Sequence, residues 1–197
     1  MLRVLNDDII SAGKGFGMHP HENMEIVTIP LQGILEHKDN MGNTGRIGYG
    51  EIQAMSAGTG VMHSEYNPSK TDETRLFQIW VFPKKKNIEP RYEQRSFSPE
   101  ERKNKFQVIV SPERAEKTMW INQDAFFSLG SFEKETETSY QIKRNGNGLY
   151  LMVIEGKISI AGRVLEKRDA IGITDFESVQ IKANEYTELL GIEVPMN

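Results

Sequence analysis

Cysteine is absent from the 197 residues. Disulfides and thiolate ligands are thereby excluded. Any metal must be held by nitrogen and oxygen donors, a set that points away from structural zinc and towards iron(II), manganese, nickel or copper. No apolar run approaches the length of about 18 residues that suggests a membrane span. The opening MLRVLNDDII has neither the basic start nor the small-residue cleavage site of a secretory signal. With no cysteine to oxidise, the expectation is a cytoplasmic protein. Concentrated positive charge is scarce as well: the net charge is −4, and the one compact basic run is Lys84-Lys85-Lys86. Beside Pro83 and Asn87 that run reads as a solvated loop rather than a phosphate contact, and no nucleic-acid surface is expected. Helix signals are few. Ser98-Pro99-Glu100-Glu101 carries a capping-box pattern with proline at the first helical position, and Ser111-Pro112-Glu113 begins a similar turn.

What is there is β. Hydrophobic residues make up 38% and charged residues 26%, and the mean hydropathy of −0.51 fits a soluble globular chain. Short alternating apolar runs are separated by glycine turns at Gly33, Gly42-Asn43, Gly45, Gly48 and Gly50. Gly146-Asn147-Gly148, Gly156, Ala161-Gly162 and Gly172 repeat the pattern later. The run TRLFQIWVF, Thr74 to Phe82, is apolar on both faces apart from Gln78, so it predicts a strand buried mid-sandwich. There is also an internal echo. Gln32-Gly33-Ile34-Leu35 followed by Gly50-Glu51-Ile52 resembles Glu155-Gly156-Lys157-Ile158 followed by Arg168-Asp169-Ala170. The expected fold class is therefore all-β, with two stacked β-barrels, short helices only, and a polar join from Lys84 to Lys105. Aligning Gly33 with Gly156 sets His19 and His21 opposite Ile142 and Arg144. Aligning Glu51 with Asp169 sets His63 and Glu65 opposite Ile181 and Ala183. The first barrel is the working one on this reading, because no ligand survives in the second.

Histidine is scarce too, and its placement carries the chemistry. All four histidines fall in the first 63 residues, and three of them lie in His19-Pro20-His21 and His63-Ser64-Glu65. Each motif is an i, i+2 pair, which on a strand points to one face with Cα atoms about 6.7 Å apart. Two such strands facing each other present three imidazoles and one carboxylate to a single ion. Pro20 has no backbone N–H, so the first of these strands belongs at a sheet edge or barrel mouth. Gly13, Gly15 and Gly17 before one motif, and Gly58 and Gly60 before the other, allow tight backbone near the ion. Gly13 to Gly17 is not a phosphate loop, since no Lys-Ser/Thr pair or amphipathic helix follows. Glu25 competes with Glu65 for the fourth ligand position. His37 reads as a hydrogen-bonded neighbour of the ligands rather than a ligand. Gln53 and Gln78 are candidates to line the pocket.

Gly13-x5-His19-x-His21-x3-Glu25-x7-Gly33 resembles the first cupin signature, and Gly50 with His63-x3-Asn67 resembles the second, with Ser56 where that signature prefers proline. The fuller run HPHENMEIVTIPLQGILEHKDNMGNTGRI…MSAGTGVMHSEYNPS, with RLFQIWVFP and PRYEQRSF after it, resembles the pirin family of bicupins over residues 2–97, and residues 98–197 resemble it in outline. Family members generally carry a further segment ahead of the LRVLNDD stretch, which packs on the barrels. The resemblance implies an N-terminal metal-binding cupin barrel over residues 1–97 and a C-terminal cupin barrel without metal ligands over 98–197. It implies one mononuclear divalent metal, first of all Fe(II), with Mn, Ni, Cu or Zn as alternatives. The implied ligands are His19, His21, His63 and Glu65, and Glu25 loses its usual cupin role. The implied activity is quercetin 2,3-dioxygenase-like: a flavonol binds through its 3-hydroxyl, O2 adds, and the heterocycle opens with loss of CO. Glu65 is then both ligand and catalytic base. The competing class is a non-enzymatic, metal-dependent regulator that binds a protein partner, as a transcription cofactor does. A sugar isomerase or epimerase would need a basic pocket, and none is evident. Because histidine binds metal only when neutral, occupancy is expected to fall below the free imidazole value near 6.5.

Overall fold

The alternating runs become nineteen strands and one short 3-10 helix, Pro99–Arg102, among the residues described by a computed structural model, 1–196. The chain divides into two compact units. One holds residues 2–97 together with Ile121–Gln123, and the other holds Ser98–Trp120 and the residues from Asp124 onward.

The first unit is a cupin barrel of two sheets. Its five-stranded sheet has the order β1 (Leu2–Ile10), β8 (Thr74–Val81), β3 (Glu25–Gln32), β6 (Glu51–Ser56), β9 (Arg91–Ser96). Its four-stranded sheet has the order β2 (Gly15–His21), β7 (Val61–Tyr66), β4 (Ile34–Asp39), β5 (Thr44–Gly48). β8 is an interior strand of its sheet, hydrogen-bonded to β1 and β3, and its side chains are buried on both faces apart from half-buried Arg75 and Trp80. Phe82 lies beyond it and is exposed. The Pro20 strand, β2, is an edge. Two apolar clusters bridge the sheets, Ile10, Leu35, Ile47 and Leu76 in one, Ile26, Met55, Ala57 and Val61 in the other. Between them runs a polar belt, because the inward residues of successive strands change character in step: Leu76-Gln78-Trp80 on β8, Leu35-His37-Asp39 on β4, Val61-His63-Glu65 on β7. That belt is where a site can form.

The second unit repeats this plan. Its larger sheet has the order β11 (Met119–Trp120), β10 (Lys105–Ser111), β12 (Phe126–Phe132), β19 (Thr187–Pro195), β14 (Asn147–Glu155), β17 (Ala170–Ile173). Its smaller sheet has the order β13 (Glu137–Gln141), β18 (Ser178–Ala183), β15 (Lys157–Ile160), β16 (Arg163–Glu166). The run β12-β19-β14-β17 matches β1-β8-β3-β6, and β13-β18-β15-β16 matches β2-β7-β4-β5. The sequence echo marks the same joint twice. Gly33 has φ +74° and meets Thr74, whose hydroxyl donates to the Ile34 carbonyl; Gly156 has φ +90° and meets Thr187, whose hydroxyl donates to the Lys157 carbonyl.

A Cβ at Gly156 would fall on the backbone carbonyl oxygen of Tyr186, whereas one at Gly162, φ +72°, meets nothing within 4 Å. Gly162→Ala should therefore cost only the left-handed penalty of about 1–2 kcal/mol. Gly156→Ala should cost more, because backbone must move as well. Urea unfolding of both variants checks the order, and equal losses would contradict it.

Four expectations change. Ser98 makes no side-chain cap hydrogen bond, so the Pro99–Arg102 turn stands without the capping box. Ser111 ends β10, and its hydroxyl donates to the Glu113 carbonyl instead of starting a helix. The polar stretch from Lys84 to Lys105 is not a bare join, because Arg91–Ser96 pairs with β6 as the fifth strand of the first barrel. The counterparts of the ligand motifs lie two residues earlier than the sequence alignment set them. His37 pairs Glu65 as Ile160 pairs Ile181, and His19 pairs His63 as Tyr140 pairs Val179. The slip arises because β17 has 4 residues where β6 has 6. The connection over 142–146 is likewise two longer than that over 22–24. Tyr140, Ile142, Val179 and Ile181 still include no ligand. In that barrel Gly191 sits where β8 has Gln78, and a Cβ on it would come within 3.0 Å of the Tyr140 ring. Tyr140 with Leu149, Leu151, Ile160 and Ile181 fills the centre.

Candidate metal centre

The sequence reading sets the two motifs on strands that face each other; β2 and β7 are instead hydrogen-bonded neighbours in one sheet and carry their imidazoles on the same face. His19 is the cross-strand partner of His63, and a bulge between Phe16 and His19 sets that register. Gly15 permits the approach, since a Cβ there would fall on the backbone carbonyl oxygen of Glu65. Ring centroids are 4.3 Å apart for His19–His63 and 4.9 Å for both His19–His21 and His21–His63. One ligand atom from each of the three lies within 4.8 Å of the others. A second group on the same terms is His37, His63 and Glu65. The four expected ligands thus fall into two overlapping groups that share His63, and Glu65 enters through the second.

Polar neighbours fix how each group faces. The Nδ1–H of His19 donates to the Gly17 carbonyl at 2.7 Å, which leaves Nε2 as its free donor atom. Trp80 packs edge-on against His21 at 4.9 Å, and its indole N–H donates to Gln78 Oε1 at 3.0 Å. Having accepted there, Gln78 turns its amide nitrogen to Glu65 Oε2, 2.6 Å away. Glu65 Oε1 is left buried without a partner. So are His21 Nε2 and both ring nitrogens of His63. Buried polar atoms are paired in the great majority of cases, so four orphans on three of the expected ligands call for a missing partner. Neutral imidazole nitrogens and a carboxylate oxygen are donors that suit a divalent transition ion. The residues fit a metal.

Electrostatics tell the same story. Burial, and then the neighbouring His19, lowers His21 to about 4. Burial, followed by His19, His21 and His37, lowers His63 to about 3. Both are therefore neutral at pH 7 and ready to coordinate. Burial pushes Glu65 up to about 7, against the hydrogen bonds of Gln78 and the pull of Gln53. A shift of that size corresponds to about 3 kcal/mol against ionisation, which a cation would offset.

Glu25 is not in either group. It is buried, Ser56 Oγ donates to its Oε2 at 2.7 Å and the Asn122 N–H at 3.2 Å, and it pairs across to Ser56 on β6. Burial raises it to about 7 as well. Gln53 is buried within the belt beside Gln78. His37 is buried and makes the hydrogen bond expected of a neighbour of the ligands: its Nε2 meets Asp39 Oδ2 at 3.2 Å. Its ring also belongs to the second group. The signal was present: His37-Lys38-Asp39 is another i, i+2 pair of ligand-type residues. Tyr92, stacked on His37 at 4.6 Å, had no such signal. Lys84, Lys85 and Lys86 stand exposed.

Comparison with known proteins adds to this geometry. Residues 2–81 match the family profile described as Pirin, and residues 108–194 match the one described as quercetinase C-terminal cupin domain. The chain is 40% identical over 194 residues to a quercetin 2,3-dioxygenase of Escherichia coli (strain K12), covering 98% of this chain and 82% of that one. To a pirin-like protein of Caulobacter vibrioides it is 37% identical over 194 residues, with the same 98% and 82% covered. The crystal structure of bacterial pirin YhhW in complex with nickel(II) from Escherichia coli matches with a TM-score of 0.91 at 39% identity. That match covers 98% of this chain and 82% of that one.

Proposed function

The chain belongs to the pirin family, and from that premise we propose that its first barrel is a metal-dependent dioxygenase centre opening a flavonol such as quercetin with O2. The observation that carries the reading is the set of buried, unpartnered donor atoms on His21, His63 and Glu65. His19, His21, His63 and Glu65 would hold one divalent ion, iron(II) first among the candidates. Bound there, such an ion supplies Lewis acidity toward the flavonol oxygens and a redox partner for O2.

The chain's own residues do the rest. His19 and His21 lie half-buried on the edge strand while His63 and Glu65 are buried, so the site opens on the β2 side. Gln78 holds Oε2 of Glu65, so Oε1 is left for the ion and the carboxylate is oriented to take the 3-hydroxyl proton. Burial makes Glu65 a stronger base than an exposed carboxylate, whereas a neighbouring cation weakens it, so the two effects oppose. The flavonol and O2 leave as the ring-opened ester and CO, and both oxygen atoms of O2 are retained between them. The proposal sets this activity in the cytoplasm.

The test is direct. Iron-loaded protein given quercetin under air should bleach the flavonol band and consume O2, and His63→Ala should do neither. An unchanged band with metal bound would overturn the enzyme reading. A partner retained only by the metal-loaded protein would then support the regulator.

The shifted groups change the pH expectation drawn from free imidazole. In the metal-free protein Glu65 carries its proton below about 7, so an ion binding there must expel it. Apparent affinity then falls as pH drops from 7 towards 4, by about tenfold per unit for this one proton. His21 and His63 hold no competing proton until about pH 4 and 3, where the fall steepens. Metal titrations across this range check it: Glu65→Gln should flatten the upper segment by one proton. An unchanged slope in that variant would contradict the assignment.

A further inference from the structure

The mouth of the first barrel carries three side chains that the proposed reaction leaves unused. β1 and β2 are each the edge of a sheet and are joined by the turn over residues 11–14. Asn67 clamps them at that end: its side chain donates to the Ile10 carbonyl and its backbone N–H to the Lys14 carbonyl. Asn6, Asp8 and Ile10 share one face of β1, and Ile10 belongs to a cluster that bridges the sheets, so Asn6 and Asp8 face the barrel interior. Asn6 is nevertheless exposed and Asp8 half-buried, as befits an opening rather than packed core. On β2, Phe16 is the cross-strand partner of Glu65 and projects to the same face, yet it is 47% exposed. Asn6 is in turn the cross-strand partner of Gln78, the residue that holds Glu65. An aromatic ring, an amide and a carboxyl thus stand at the entrance beside Glu65. Resting on the dioxygenase reading above, we propose that Phe16, Asn6 and Asp8 form a substrate subsite that binds the hydroxylated pendant ring of a flavonol.

Three features support this. First, Asp8 lacks a donor. Burial, and then Asp7, raise its pKa, and no hydrogen bond or cation opposes them. Adjacent phenolic hydroxyls would supply that donor, one to each carboxylate oxygen, with Asn6 beside them to donate or accept. Second, the place is right. Asp8 lies close enough to Glu65 to help raise it. The pendant ring of a flavonol is carried by the carbon next to the one that bears the reacting 3-hydroxyl, so it meets first the groups that flank Glu65. Third, Phe16 presents an aromatic surface at the same entrance, suited to stacking on a flat ring. An inward carboxylate on an edge strand can also serve to block edge-to-edge pairing. That role calls for neither Phe16 nor Asn6 beside it, and it is indifferent to which flavonol is offered.

Calorimetry on the full chain, metal-loaded and under nitrogen, reads binding apart from turnover. Quercetin is compared with galangin, the flavonol that lacks both hydroxyls of the pendant ring. The wild type should bind quercetin at least about tenfold more tightly, because a site built to accept hydroxyls leaves a buried acceptor unpaired when they are missing. Asp8→Asn should reduce that preference to about threefold or less. Phe16→Ala should weaken both flavonols alike, by about two- to tenfold; should it fail to fold by circular dichroism, Phe16→Leu removes the aromatic ring and keeps the bulk. Equal affinity of the wild type for the two flavonols, or an undiminished preference in Asp8→Asn, overturns the subsite. The dioxygenase reading fails differently: quercetin bound under nitrogen persists when air is admitted, or the wild type binds neither flavonol.

Discussion

Replacing His63 by alanine is expected to strip the protein of its metal, with affinity falling by at least about a hundredfold. No other side chain belongs to both ligand groups, and none of the other histidines is orphaned at both nitrogens. Its ring is fully buried at the centre of the belt. The metal-free fold should suffer less than the loss of a core side chain implies. Truncation leaves a cavity, yet it also removes two buried polar atoms that had no partner, and these costs oppose. The signature is in thermal unfolding. A tightly bound ion at a thousand times its dissociation constant stabilises by about 4 kcal/mol, so chelation should lower the wild-type melting temperature and leave the variant's unchanged. Elemental analysis of the purified variant completes the test. Wild-type metal content in His63→Ala would refute the site.

Glu65→Gln should separate binding from chemistry. The amide has nearly the same shape and its carbonyl can still accept from Gln78 Nε2, the 2.6 Å contact that orients the native carboxylate. What it loses is charge and basicity. Three histidines remain for the ion, so some metal should stay. Turnover of the flavonol should fall by about 10²–10⁴, the usual contribution of a positioned base. Steady-state rates at equal metal loading measure this, and a rate near the wild type would remove Glu65 from the role of base.

The fold was legible because both of its signals are local. The short apolar runs of β3, β6 and β8 and the glycine turns between strands can be read residue by residue, and Gly33 and Gly156 do mark equivalent joints. The ligand motifs were legible for the same reason: i, i+2 spacing survives in any regular strand. What could not be read depends on pairing. The two-residue slip between the barrels came from strand lengths that only the register of β17 and β18 reveals. The split of the ligands into two groups follows from His37 standing opposite Glu65, a contact between residues 28 apart in the chain. The shifted pKa values are equally non-local. Burial is their leading cause, and the free imidazole value assumed from sequence belongs to an exposed ring. The capping-box pattern at Ser98 failed because the turn closes in 3-10 fashion: the Glu101 N–H, which such a cap would serve, donates to the Ser98 carbonyl instead.

The direct test of the convergence of the two motifs is anomalous scattering at the iron edge, from crystals of protein purified from an iron-replete host. One strong peak inside the first barrel, at about 2.0–2.3 Å from nitrogens of His19, His21 and His63 and an oxygen of Glu65, is the expected result. A barrel without such a peak, or with one that those side chains do not reach, would contradict it.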